Sequence, residues 1–228
     1  MKDSQELFDR FREDVVDVVK TYLWTEDEVT SYADDAYRMF VRLTGGIADF
    51  TSDVTQVPIV TGEELVATDG SILRIMSASL VSDGSDVKVV NSTDLPNLMT
   101  TMDYGKRLSF TNKNVPGAVR YIVVGMQKKV AKLINIPQVD DTLALVLYRL
   151  PLKHIEDGSH PLDEVETDHH IHLLSWMKHL AYLKQDSETF DKTKSAEAED
   201  TFRKYCALHK AEIDRMQAKP RSVAYGGL

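Results

Sequence analysis

The sequence predicts an α+β fold. The N- and C-terminal helices form one helical bundle, an antiparallel β-sandwich or small barrel is inserted between them, and an extended C-terminal arm follows. Three observations lead there. Apolar residues recur at helical spacing up to about residue 45. From about Thr51 to Leu150 that spacing gives way to short β-branched runs separated by turn residues. Helical spacing then returns and stops before "AKPRSVAYGGL". The expected division is a helical bundle from 1–50 and 151–217, a β domain over 51–150, and an arm over 218–228.

The first helix is expected over 4–23, with Leu7, Phe11, Val15, Val18 and Tyr22 on one face and Ser4 as its N-cap. "WTEDEV" restarts a helix. Thr25 and Glu28 have capping-box spacing, and Trp24 and Val29 occupy the two positions of a hydrophobic staple. This second helix carries Val29, Tyr32, Ala36, Phe40 and Leu43 on one face and stops at Gly45, which can take a left-handed conformation. Strands are expected near 54–60, 64–68, 72–81, 87–91, 119–125, 129–135 and 142–150. "SDGSD" at 82–86 reads as a turn, "GMQK" at 125–128 and "VTGEELVATDGS" as hairpins, and 92–116 as a long exposed loop.

The 228 residues are 43% hydrophobic and 28% charged, enough to bury a real core. The formal net charge of −9 disfavours a nucleic-acid binder as the reading of the whole chain. Charge is unevenly spread. Residues 1–50 hold six Lys/Arg against twelve Asp/Glu, while 101–134 hold seven against one. The one cysteine, Cys206, excludes an internal disulfide and fits a reducing compartment. The charged start has no apolar h-region, so no signal peptide is expected, and no apolar run reaches membrane-spanning length.

The chemistry-bearing candidate is "ETDHHIHLLSWMKHLAYL", residues 166–183, with His169, His170, His172 and His179 beside Asp168. His169 and His172 have i,i+3 spacing and could chelate a metal, which keeps a metal-binding enzyme as the alternative reading. Nothing else completes a ligand set: there is no HExxH and no cysteine partner. The other reading is a helix capped by Thr167 with Asp168 in its first turn, its histidines packing at an interface. No G-x-G-x-x-G, P-loop or G-x-S-x-G motif occurs. Cys206 lies on the stripe Phe202, Cys206, His209, Ile213, and reads as a core residue.

One helix is expected over about 187–217, roughly 45 Å long. That is too long for a compact domain of this size to cover, so part of it is expected to pack against a second subunit. The arm 218–228 lacks periodicity. Arg221, Val223, Tyr225 and Leu228 are its side chains able to bury area or pair with charge, and they are the expected partner-binding residues.

The order of elements, with "ELVATDGSILRIMSASL" (64–80), "TLALVLYRLPL" (142–152) and "DHHIHLLSWMKHLAYLKQDSETFDKTKSAEAEDTFRKYC" (168–206), resembles the head-to-tail connector (adaptor) proteins of tailed phages. The tail tubular protein A-like, podophage adaptor branch is nearest, and the likeness of pattern covers most of the chain. The resemblance implies a structural virion protein, not an enzyme, with no cofactor. It implies a homo-oligomer, a dodecameric ring, with the portal protein on one side and a tail or nozzle protein on the other. Genomic DNA would pass through the channel without sequence-specific binding, and no membrane is involved. The place implied is the virion neck, after assembly in the host cytoplasm, with the arm meeting the portal or a neighbouring subunit.

Overall fold

The computed structural model describes residues 1, 3–94, 116–186 and 189–218. The chain divides into two compact units: Met1–Gly45 together with the chain from Pro151 onward, and Gly46–Leu150. The α+β class holds.

In the first unit, α1 (Ser4–Asp14) is capped by Asp3, whose carboxylate accepts from the Glu6 N–H at 3.0 Å. Ser4, the expected cap, is buried instead and donates its hydroxyl to the Asp157 carbonyl at 2.6 Å. The Ser4 and Gln5 N–H groups, orphans at any helix start, donate to the carbonyls of His160 and Gly158. Leu7, Phe8 and Phe11 are buried. The helix ends at Asp14, well short of the expected residue 23. The chain turns back there because the Asp17 carboxylate is drawn inward to Arg12 and to the N–H groups of Leu23 and Trp24. Val16 makes that reversal at a φ of 59°. Of the residues that carry the helical spacing beyond Asp14, Val18 is exposed and Val15 and Tyr22 are half-covered.

α2 (Glu26–Thr44) begins with the expected capping box: Thr25 Oγ1 accepts from the Glu28 N–H, and the Glu28 carboxylate accepts from the Thr25 N–H. Both staple residues, Trp24 and Val29, are buried. The helix ends at Gly45 in the left-handed region, φ 107°. Its buried face is centred on Val29, Ala33, Tyr37 and Phe40, so Tyr32 and Leu43 sit on its shoulders. A 3₁₀ turn (Thr167–His169) leads into α3 (His170–Tyr182), and Asp191 caps α4 (Lys192–Gln217) by accepting from the N–H groups of Thr193 and Lys194. Thr167, the expected cap, is instead the first residue of the 3₁₀ turn; the cap positions are Glu166 and His169, and neither caps with its side chain. The core of this unit is aromatic. Trp24 meets Phe11 and Tyr182 edge-on at 5.9 and 6.4 Å and donates its indole N–H to the Ala181 carbonyl.

The second unit holds β1 (Ile47–Asp49), β2 (Gln56–Ile59), β3 (Leu65–Ala67), β4 (Ile72–Leu80), β5 (Asp86–Asn91), β6 (Tyr121–Gln127), β7 (Val130–Ile134) and β8 (Asp141–Arg149). They form one sheet in the order β1-β8-β4-β5-β6-β7-β3, with β2 also paired to β8. β1 and β2 therefore share one side of β8. From β2 to β3 across a flat sheet would be about 29 Å at about 4.8 Å per strand. Yet residues 60–64 alone join them, a span of at most about 22 Å. The sheet must curl, and alternate residues of β8, Leu143, Leu145 and Leu147, turn inward to one apolar core with Val57, Ile59, Ile122 and Leu133.

Every ladder is antiparallel except β5 with β6, which run parallel. The long connection 92–120 returns the chain to the starting end and makes a parallel pair possible. Three local readings are corrected. "VTGEELVATDGS" is no hairpin: β3 pairs with β7, and β4 pairs with β8 and β5. The β6–β7 turn lies at Lys128–Lys129, with Lys129 at φ 62°, while Gly125 at φ 81° falls where the register shifts. β1 was not foreseen. Its Asp49 accepts from the buried Arg149 guanidinium, the Ser52 hydroxyl and the N–H groups of Thr51 and Ser52. Gly46, at φ 101°, lets the chain enter β1 against β8, since a Cβ there would lie 2.9 Å from that of Tyr148.

Candidate functional site: the histidine turn and the uncovered end of α4

The structure gives each histidine of the 166–183 stretch a packing role. His170 is buried, its ring nitrogens at 3.1 and 2.9 Å from the carbonyl oxygens of Met1 and Val165. His169 places Nδ1 2.7 Å from the Tyr205 hydroxyl, and its ring lies 5.1 Å from that of Phe40 and 4.1 Å from that of His209. His172 stacks on Tyr205 with 3.4 Å between ring centres. His179 bonds the Ser195 hydroxyl at 2.9 Å. The rings form a seam that holds α3 against α2 and α4. Among the described residues, no group of three or more His, Cys, Asp or Glu is placed to hold a metal ion.

Electrostatics agree with packing. Burial, followed by the neighbouring His209, holds the His169 imidazole below its ordinary titration range, and burial alone does the same for His172. Burial pushes the Cys206 thiol up to about 11, so this cysteine is a small core residue and no nucleophile.

The unusual feature is α4. The part up to Cys206 buries Ser195, Phe202 and Cys206. Beyond Cys206 no residue through Gln217 is buried, and only His209 and Ile213 are half-covered. Leu208 and Met216 are 65% and 79% exposed. This end of the helix runs about 16 Å. Its outer side carries i,i+4 ion pairs such as Lys210–Asp214, which keep an isolated helix face solvated but supply little stability. The helix starts at Lys192, later than expected, yet its unburied length is what the spacing implied.

The expected partner-binding residues Arg221, Val223, Tyr225 and Leu228 lie outside the described residues. Sequence reading missed a second exposed apolar feature, the loop after α1. Val16, Val18 and Val19 are 81%, 58% and 75% exposed there. The doubled "DVV" in "DVVDVV" was the available signal, and its helical spacing disguised it.

No helix among the described residues is long and apolar enough to cross a membrane. No curated protein matches the chain. A family model described as the SU10 adaptor protein matches residues 3–224, spanning both units. The match includes residues 64–80, 142–152 and 168–206. The chain belongs to the SU10 adaptor family and is a phage head-to-tail adaptor, a structural protein of the virion neck that meets portal and tail components.

Proposed function

We propose that this adaptor works as the subunit of a dodecameric ring that joins portal to tail and lines the channel through which genomic DNA passes, without itself catalysing a reaction. The observation that carries this is the uncovered end of α4. A helix with one apolar stripe is stable when that stripe is buried. Here Met216 on that stripe, and Leu208 on a neighbouring face, are left in solvent at the end of a helix whose earlier turns are well packed. A neighbouring copy is the surface that completes it.

The net charge of −9 supports a conduit that does not hold its cargo, since phosphate contacts would retain the DNA. The order of elements supports the podophage, tail tubular protein A-like branch. The helical bundle, the β domain and the arm 218–228 act as three separate parts in this reading. Through Arg221, Val223, Tyr225 and Leu228 the arm meets the portal or an adjacent subunit. The subunit assembles in the host cytoplasm before it joins the neck. No observation favours the metal-enzyme alternative.

Electron microscopy and native mass measurement of the protein incubated with portal particles test this. A ring of about a dozen copies on the portal is the expected result. A chain that stays monomeric on portal particles overturns it. Deleting 218–228 is expected to leave secondary structure unchanged while portal binding is lost; binding equal to that of the full chain removes the arm from the contact.

A further inference from the structure

We propose that copies of this chain join head to tail through two complementary patches. One is acidic and apolar-tipped, on α1 and the loop after it. The other is a basic cleft beside β4. The inference rests on the homo-oligomer reading above and adds a second contact between copies to the one at the end of α4.

The cleft follows from an interrupted sheet. β4 pairs with β8 along its length but with β5 only at Ala78 and Ser79. β5 then leaves to run beside β6 from Lys88 to Asn91. On its β5 side, residues 72–77 of β4 therefore have no strand partner among the described residues. The gap is a cleft of about 530 Å³, lined by Ile75, Val89 and Val124 and rimmed by Leu73 and Met76, 40% and 43% exposed. Arg74, Lys128 and Lys129 line it against a single carboxylate, Asp69. A free strand edge flanked by apolar side chains is a template for a second chain, and the cations select which one.

The other patch has the opposite charge. Glu6, Asp9 and Glu13 lie within about 60° of one another on the exposed side of α1. Arg10 is the cation among them and pairs with Glu13 and Asp14 at 3.2 and 3.7 Å. Just beyond, Val16, Val18 and Val19 are exposed. The backbone of 18–20 makes no hydrogen bond among the described residues. The loop is not a frayed end, because Asp17 between these valines is 4% exposed and fixed to Arg12. Carboxylates then face the three cations, valines face Leu73 and Met76, and a short unpaired backbone faces an unpaired strand edge. The two surfaces are different, so the contact is heterologous, and repeating it closes a ring wherever the rotation closes.

Two charge reversals test the pairing. Variant one carries Glu6→Lys, Asp9→Lys and Glu13→Lys; variant two carries Arg74→Glu, Lys128→Glu and Lys129→Glu. Both are full chains, checked for unchanged circular dichroism, and assembly is read by sedimentation and native mass with and without portal particles. Each variant alone is expected to lose assembly by tenfold or more in affinity, since like charges then meet, on the order of 1.4 kcal/mol per factor of ten. Mixed in equal amounts they are expected to assemble, because each supplies the complement the other needs. Assembly of either variant alone at the wild-type level overturns the patches while leaving the ring reading intact, as does a mixture no better than its parts. A wild-type chain that stays monomeric in both conditions overturns the ring reading and this contact together. As a measurement independent of charge, Val18→Cys with Met76→Cys is expected to give disulfide-linked chains of copies on oxidation. A lack of such linkage in assembled protein also overturns the proposal.

Discussion

Arg12 and Asp17 form a buried ion pair, Nη1 to Oδ2 at 2.9 Å, with side chains 7% and 3% exposed. Arg12 also donates to the Trp24 carbonyl and lies over the Tyr22 ring at 3.7 Å. Its Nη2 is 3.2 Å from Glu26 Oε1 but is not aligned for a hydrogen bond. One side chain thus closes the loop between α1 and α2. Removing Asp17 leaves the buried guanidinium with the largely exposed Glu26 carboxylate as its remaining ion-pair partner. Asp17→Ala is expected to cost about 3–5 kcal/mol, read by urea unfolding. Arg12→Met with Asp17→Leu is expected to recover most of that. A single-variant loss below about 1 kcal/mol would show the pair to be dispensable.

Asp49 is expected to give the β unit an acid-sensitive joint. Burial pushes its carboxyl up, but hydrogen bonds from Arg149, Ser52 and Thr51 outweigh burial and hold it well below the usual carboxylate range. Because the folded value is the lower one, the contribution is present above about pH 4 and is lost as pH falls below it. Asp49→Asn is therefore expected to be clearly less stable than wild type at pH 7, with the difference shrinking as the pH drops below 4. Parallel unfolding curves across that range would show that Asp49 is not the group responsible.

His169 and His172 work in the same sense, at higher pH. Their imidazoles titrate below the ordinary histidine range, so the unfolded chain takes up protons first. Their contribution is complete above about pH 6.5 and declines as pH falls below that. Changing both to Ala is expected to cost about 1–3 kcal/mol at pH 7.5, from lost ring contacts, and less at pH 5.5. Elemental analysis is expected to find the same metal content in variant and wild type.

Leu208→Asp with Met216→Asp is expected to change subunit stability by less than about 0.5 kcal/mol, as for other exposed positions. Association between copies on portal particles is expected to fail. Normal assembly of this variant would move the contact away from the end of α4.

Thr25→Ala removes one half of the capping box and is expected to cost about 1 kcal/mol. Glu28→Gln, which can still accept from the Thr25 N–H, is expected to cost less; thermal unfolding compares the two.

Elements whose signals are local were readable from sequence. The Thr25–Glu28 box, Gly45, the "SDGSD" turn and the alternation of β8 each depend on residues within a few positions of each other. What was not readable depends on distant partners. α1 stops at Asp14 because Asp17 is held by Arg12 and by Leu23 and Trp24, while the valine spacing ran on past it. The Ser4 hydroxyl is drawn to the Asp157 carbonyl, remote in sequence, and Asp3 caps α1 instead. β1 is three residues long and is fixed by Arg149 at the far end of the unit. The histidines were legible as a cluster, but their roles were not, since Phe40, Ser195, Tyr205 and His209 arrive from other helices. The cleft beside β4 arises from strand order, which no local pattern encodes.

Ile47 pairs with Arg149, so the β unit begins and ends on neighbouring strands, with Cα atoms about 5 Å apart. To the helical unit this insertion of roughly a hundred residues is therefore equivalent to a tight turn. Closing a flexible loop of that size would cost on the order of 4 kcal/mol in chain entropy. A folded insertion with adjoining ends removes most of that cost. Its internal size can then change by whole hairpins without altering the spacing its ends present to α2 and to the chain after Pro151. The β unit is thus a replaceable cassette, free to diversify while the helices that receive it stay the same.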